Sequence, residues 1–98
     1  LNATYFPFIF RGALDVRASR INSAMKRAAV EAIRSIAKEP VPAEVLLAAG
    51  ETELTFGVNY VLPKPMDPRL LPRVARAVAI AAEDSGVARI PLPDNYML

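Results

Sequence analysis

The side chains able to do chemistry are few, and their types narrow the choices before any spacing is measured. The 98 residues contain no His and no Cys, which removes the commonest general base, the commonest neutral metal ligand and all thiol chemistry. Four carboxylates, Glu51, Glu53, Glu83 and Asp84, could in principle serve a metal or acid/base pair. They fall in a loop and at a helix end without a His partner, so they read as solvated surface. Arg69, Arg73 and Arg76 recur at helical spacing; such a row can hold phosphate, but a solvent-facing helix side accounts for it as well. Lys64 is held stiffly between Pro63 and Pro65, and a lone Lys carries no reaction. Asn2 stands just ahead of an aromatic run, where an amide reads as a helix cap. No Gly-rich phosphate loop and no zinc spacing occurs.

These residues must be positioned by elements that the proline distribution outlines. Eight of the nine prolines follow residue 39, so the first 38 residues read as continuous structure and the rest as elements separated by stops. Phe6 to Arg17 predicts a helix that is apolar almost all round, with Pro7 in its first turn, where its missing N–H is not needed. A helix of that kind belongs inside a larger protein. Gly12 within it costs helix stability, which implies that another backbone passes close by.

Asn22 is the N-cap expected for a second helix, whose stripe is Met25, Ala29, Ile33 and Ile36 with Ala28 and Ala32. Arg27, Glu31, Arg34 and Lys38 fall opposite, with Glu31 and Arg34 spaced to interact. Pro40 stops it. A short helix follows over Pro42 to Ala49, closed by Gly50. Residues 51–67 read as an ordered connection, with a turn at Phe56-Gly57 and extended chain at Pro63-Lys64-Pro65. Asp67 is expected to cap a last helix with Pro68 at its first position and a kink at Pro72. Its apolar face is read as Leu71, Val74, Ala75, Val78, Ala81 and Ala82, with Gly86 as its stop and Ile80 stranded on the polar side.

Hydrophobic residues make up 53% of the chain and mean hydropathy is +0.24. That is high for a chain too small to bury much, so apolar surface is expected to face something outside it. The net charge of +2 is scattered rather than clustered, which argues against a nucleic-acid partner. No apolar run approaches the ~18 residues needed to span a membrane. A start at Leu1 rather than Met is expected of a piece cut from a longer chain.

Several blocks together resemble the bacterial type of malic enzyme. The run from Asn2 through Tyr5, Phe6-Pro7 and Ile9-Phe10-Arg11-Gly12-Ala13-Leu14-Asp15 is the first block. Ile21-Asn22 with the Met25 helix, Phe56-Gly57, Tyr60, Pro63-Lys64-Pro65, Asp67-Pro68-Arg69-Leu70 and Ser85-Gly86-Val87-Ala88 follow in order. The resemblance spans residues 2–89. It implies a parent enzyme that converts malate to pyruvate and carbon dioxide, with NAD or NADP accepting hydride and Mg or Mn as Lewis acid. It also implies that this stretch is mainly α, the helical C-terminal portion of a Rossmann-type α/β NAD(P)-binding domain.

On that resemblance, the family's catalytic Tyr and Lys, its metal carboxylates and its Gly-rich turn all lie upstream of Leu1. Tyr5, Tyr60, Tyr96, Lys26, Lys38 and Lys64 match none of them. One residue carries over: Asn2 matches the second Asn of a pair that meets malate and the nicotinamide end of the cofactor, with Leu1 in place of the first. An amide suits that task because it donates to a carboxylate and accepts from a carboxamide without charge. Residues 1–89 are thus read as the helical part of the NAD(P)-binding domain, and residues 90–98 as a linker or tail. In long bacterial relatives a domain resembling phosphate acetyltransferases follows there. The implied partners are malate, NAD(P), the rest of the parent chain and further copies in a homo-oligomer, in the cytoplasm, without nucleic acid or membrane. The isolated stretch is expected to be inactive and to bind no cofactor or metal of its own. The alternative reading is a non-catalytic helical module for packing or oligomerisation.

Overall fold

The computed structural model describes residues 3–98. A single 3-10 turn over Ala3–Tyr5 leads into four helices: α1 (Phe6–Asp15), α2 (Ser23–Lys38), α3 (Ala43–Ala49) and α4 (Leu70–Asp84). The described residues include no strand, and the one β-bridge joins Gly57 to Tyr60 across a turn at Val58-Asn59, just past the Phe56-Gly57 position expected for it. Among the described residues no helix is long and apolar enough to cross a membrane.

The second helix forms as its sequence dictates. Asn22 is extended, and its side chain accepts a hydrogen bond from the Met25 N–H at 3.0 Å, pairing one of the four free donors of the first turn. Met25, Ala29, Ile33 and Ile36 are fully buried, as the stripe requires. The Asn22 amide also donates to the Ser85 hydroxyl at 2.9 Å, which ties the start of α2 to the end of α4. Glu31 and Arg34 form no ion pair; both are exposed, where water competes with a contact worth a few tenths of a kcal/mol.

Helix α4 is the centre of the molecule, packed on both α1 and α2. It therefore buries two faces, through Leu70, Val74, Ala75, Val78, Ala79 and Ala82. The expected register is off at its start: Leu70 is buried and Leu71 is exposed. Asp67 does not cap the helix either. Its carboxylate accepts the Arg69 N–H at 2.9 Å and closes a turn that ends before the helix begins at Leu70. With that start, Pro72 falls within the first turn, where the backbone N–H has no intrahelical partner to lose, so no kink is needed.

Gly12 explains how α1 comes so close. A Cβ added there would lie 2.4 Å from the Ala75 carbonyl oxygen and 3.0 Å from Val78 Cβ. Only glycine lets the two backbones meet, so the expected close neighbour is α4. The helix stops at Asp15 rather than Arg17. Arg17 adopts a φ of 50°, Ala18 N–H bonds back to Ala13 O at 2.9 Å and Arg17 N–H to Leu14 O at 3.0 Å. That is a Schellman closure with arginine at the left-handed position that usually takes glycine. The turn is then fastened to the far end of the chain by Ser19 N–H to Val87 O and Arg89 N–H to Val16 O, each 2.9 Å.

Helix α1 is apolar on two sides, but only one is covered. Ile9 and Ala13 face the core, while Phe6, Phe10 and Leu14, spaced four apart, form an outer ridge. Leu14 is 71% exposed and Phe10 55%. Residues 90–98, expected as a linker or tail, carry no regular element yet fold back: Tyr96 is buried in the core, with Leu92 and Met97 packed against it.

Candidate functional site

The one residue expected to touch substrate, Asn2, lies outside the described residues. What can be built upward is the scaffold beside it. Tyr5 follows three residues later, and its buried hydroxyl donates to the Pro63 carbonyl at 2.7 Å. That contact fastens the entry of α1 to the Pro63-Lys64-Pro65 segment. Burial pushes the Tyr5 hydroxyl above its ordinary range, and the neighbouring Tyr60 adds to the shift. Tyr60 is raised by its own burial, against the opposing charge of Arg69. Its hydroxyl has no hydrogen-bond partner among the described residues.

The arginine row is neither a phosphate cradle nor a solvent face. Arg69 grips Asp67 with Nη2 at 2.7 Å and Nε at 3.0 Å, and donates to the Pro40 carbonyl at 3.1 Å. Arg73 forms a two-pronged pair with Glu39 at 2.6 and 3.0 Å, and Arg76 reaches the Tyr96 carbonyl at 3.5 Å. Burial works against ionisation of Asp67, whose side chain is fully enclosed, but the Arg69 side chain and N–H outweigh it and lower the pKa. Glu39 is lowered chiefly by the Arg73 hydrogen bond. These pairs clamp α4 to the end of α2, so the row is structural.

Glu51, Glu53, Glu83 and Asp84 are all exposed, as solvated carboxylates should be. Glu83 accepts the Leu92 N–H at 3.1 Å and so helps to hold the C-terminal segment. Among the described residues no three Asp or Glu side chains group as metal ligands. Lys64 is half-buried and its carbonyl accepts the Asp67 N–H, a role in the backbone turn alone. The contact that the sequence did not disclose is Tyr96 to Asp15: the hydroxyl donates to the carboxylate at 2.6 Å, and Arg11 holds the same oxygen at 2.8 Å. Burial first, then this hydrogen bond, raises the Tyr96 pKa. A proline-rich tail has no period from which a buried tyrosine could be read.

The described residues that follow Asn2 in sequence are thus tied to one another as a scaffold, and comparison with known proteins gives that scaffold an origin. The NADP-dependent malic enzyme of Halomonas elongata is 59% identical over 97 residues, which is 99% of this chain and 23% of that protein. This chain belongs with one segment of the malic enzymes. The NAD-dependent malic enzyme of Rhizobium meliloti is 52% identical over 95 residues, 95% of this chain and 12% of its own length. The crystal structure of the malic enzyme from Pyrococcus horikoshii matches the fold with a TM-score of 0.69 at 40% identity, covering 94% of this chain and 18% of that one. No family model matches the chain. The chain thus spans under a quarter of each of these three malic enzymes. The mainly helical character expected for such a segment agrees with both the four helices and the structural match.

Proposed function

We propose that the chain serves as the helical support segment of a malic enzyme, which oxidises and decarboxylates malate to pyruvate with NAD or NADP. The observation that carries this reading is identity sustained through nearly the whole chain, together with the shared helical arrangement. In this reading Asn2 presents its amide to malate and the nicotinamide end of the cofactor, donating to one and accepting from the other. Tyr5 and Gly12 fix the helix that follows it, the first through Pro63 and the second through contact with α4.

The divalent metal that this chemistry calls for, Mg or Mn, does not fit here. The described carboxylates are exposed, ion-paired or hydrogen-bonded singly, and none is grouped for a metal. Its ligands, like the dinucleotide-binding turn, belong to parts of the enzyme beyond this stretch. The same reading has the enzyme in the cytoplasm as a homo-oligomer.

The test has two arms. The 98-residue chain, supplied with malate, NAD or NADP and Mg or Mn, should reduce no nucleotide above a blank. Asn2→Ala in an intact malic enzyme carrying this segment should lower kcat/KM for malate by about ten- to a hundredfold, as expected for a lost hydrogen bond to a charged group. Turnover by the chain alone, lost on changing one of its residues, would overturn the supporting role. Unchanged kinetics in the variant would leave Asn2 as a helix cap.

A further inference from the structure

An open groove of about 730 Å³ runs beside the C-terminal end of α1, over the closing turn and up to Arg89. Its floor is apolar, with Phe10, Leu14 and Ile21 as the large side chains. Around them stand Arg11, Arg17, Arg20 and Arg89, and no acidic residue lines the groove. Arg11 is paired with Asp15. Arg89 donates through Nε to the Arg17 carbonyl at 2.6 Å, which leaves its charge uncompensated. Arg17 and Arg20 are exposed and have no ion-pair partner among the described residues.

Arg17 is the telling position. Its backbone φ of 50° is one that side chains with a Cβ rarely adopt, and glycine would close the helix there without strain. Arginine keeps a cation at the groove against that local preference, and strain retained in this way points to use of the side chain.

We propose that this groove docks an apolar polypeptide segment flanked by Asp or Glu side chains, supplied by the part of the malic enzyme outside residues 1–98. The inference rests on the reading of the chain as a malic enzyme segment, since the relatives extend far beyond it. Charge selects the occupant. A second copy docking groove to groove would bring Arg17, Arg20 and Arg89, without ion-pair partners among the described residues, against the same three, a like-charge arrangement that opposes association. A small anion would answer the arginines but leave the apolar floor uncovered.

The experiment is a zero-length cross-link in the intact enzyme. Arg20→Lys keeps the charge and adds an amine that a carbodiimide can couple to a carboxylate in direct contact. Mass spectrometry should find that amine joined to an Asp or Glu outside residues 1–98, with the yield falling at least tenfold when Leu14→Asp is added. Leu14 is exposed, so the second change leaves the helical core intact. Coupling confined to carboxylates within residues 1–98, whether of the same chain or of a second copy, would overturn the proposal. No coupling, as a small anion in the groove would give, would overturn it too. The readout involves no turnover, so the malate assay judges the functional assignment separately.

Discussion

At the scale of single residues, Asp67 shows how a side chain that looks like a helix cap can be claimed by a stronger partner. Its carboxylate is fully enclosed and accepts from both the backbone and the guanidinium of Arg69. Charge-assisted hydrogen bonds exceed neutral ones, so the pair outcompetes a cap on the first turn of α4. Replacing it with the isosteric neutral amide, Asp67→Asn, should destabilise the chain by about 1.5–3 kcal/mol at neutral pH. The pH dependence follows from the sign of the shift. A folded-state pKa lowered below the unfolded value of about 3.9 adds stability that is fully present above that pH. It is lost as pH falls through the lowered folded-state value. Thermal melts of both proteins between pH 7 and pH 2 should show the gap closing only below about pH 4. A gap that stays constant to the acid end would show that the Asp67–Arg69 charge pair is not its source.

At the scale of elements, the contact between α1 and α4 is set by one missing side chain. Gly12→Ala gains helix propensity of roughly 1 kcal/mol but drives a methyl group into the Ala75 carbonyl. The obstacle is backbone, which cannot swing aside as a flexible side chain would. The expected net loss is about 1–3 kcal/mol, lowering Tm by at least about 4 °C for a domain of this size. A variant that melts at or above the unchanged protein would mean that the helices separate freely. How far the elements could be read in advance follows the same physics. Helix α2 was legible because its cap, its stripe and its stop all agree on one register. Gly12 was legible as a close approach, though not which helix approached. The start of α4 was not, because Asp67-Pro68 imitates a cap and first position while the Arg69 contact, seen only in three dimensions, moves the start to Leu70. The arginine row was equally closed to reading: its partners Glu39 and the Tyr96 carbonyl come from other parts of the chain. The candidate site itself gave up least, since Asn2 stands out by family resemblance and not by any pattern of its own.

For the molecule as a whole, the apolar excess in the composition reappears as the ridge of Phe6, Phe10 and Leu14 on the outer side of α1. Four short helices bury one side of that helix and leave the other in water. The purified chain should therefore bind a hydrophobic dye, read by its fluorescence as the protein is titrated in. Phe10→Asp, at a position 55% exposed, should reduce the dye signal without lowering helix content. A compact monomer that ignores the dye at high concentration would show that the chain closes its own surface.

The order in which the chain is made adds a consequence to the way α1 is held. Tyr5 waits for Pro63, 58 residues later, and Asp15 for Tyr96, 81 residues later. Gly12 waits for Ala75 and the Val16 carbonyl for Arg89. At about 5–20 residues per second of synthesis, the helix emerges several seconds before these later partners exist to cover its inner side. During that interval the side destined for α4 is bare. A cell making this polypeptide must shield one greasy helix for the time it takes to translate the rest. A faster α1 would not shorten the wait, because it ends only when the last helix leaves the ribosome.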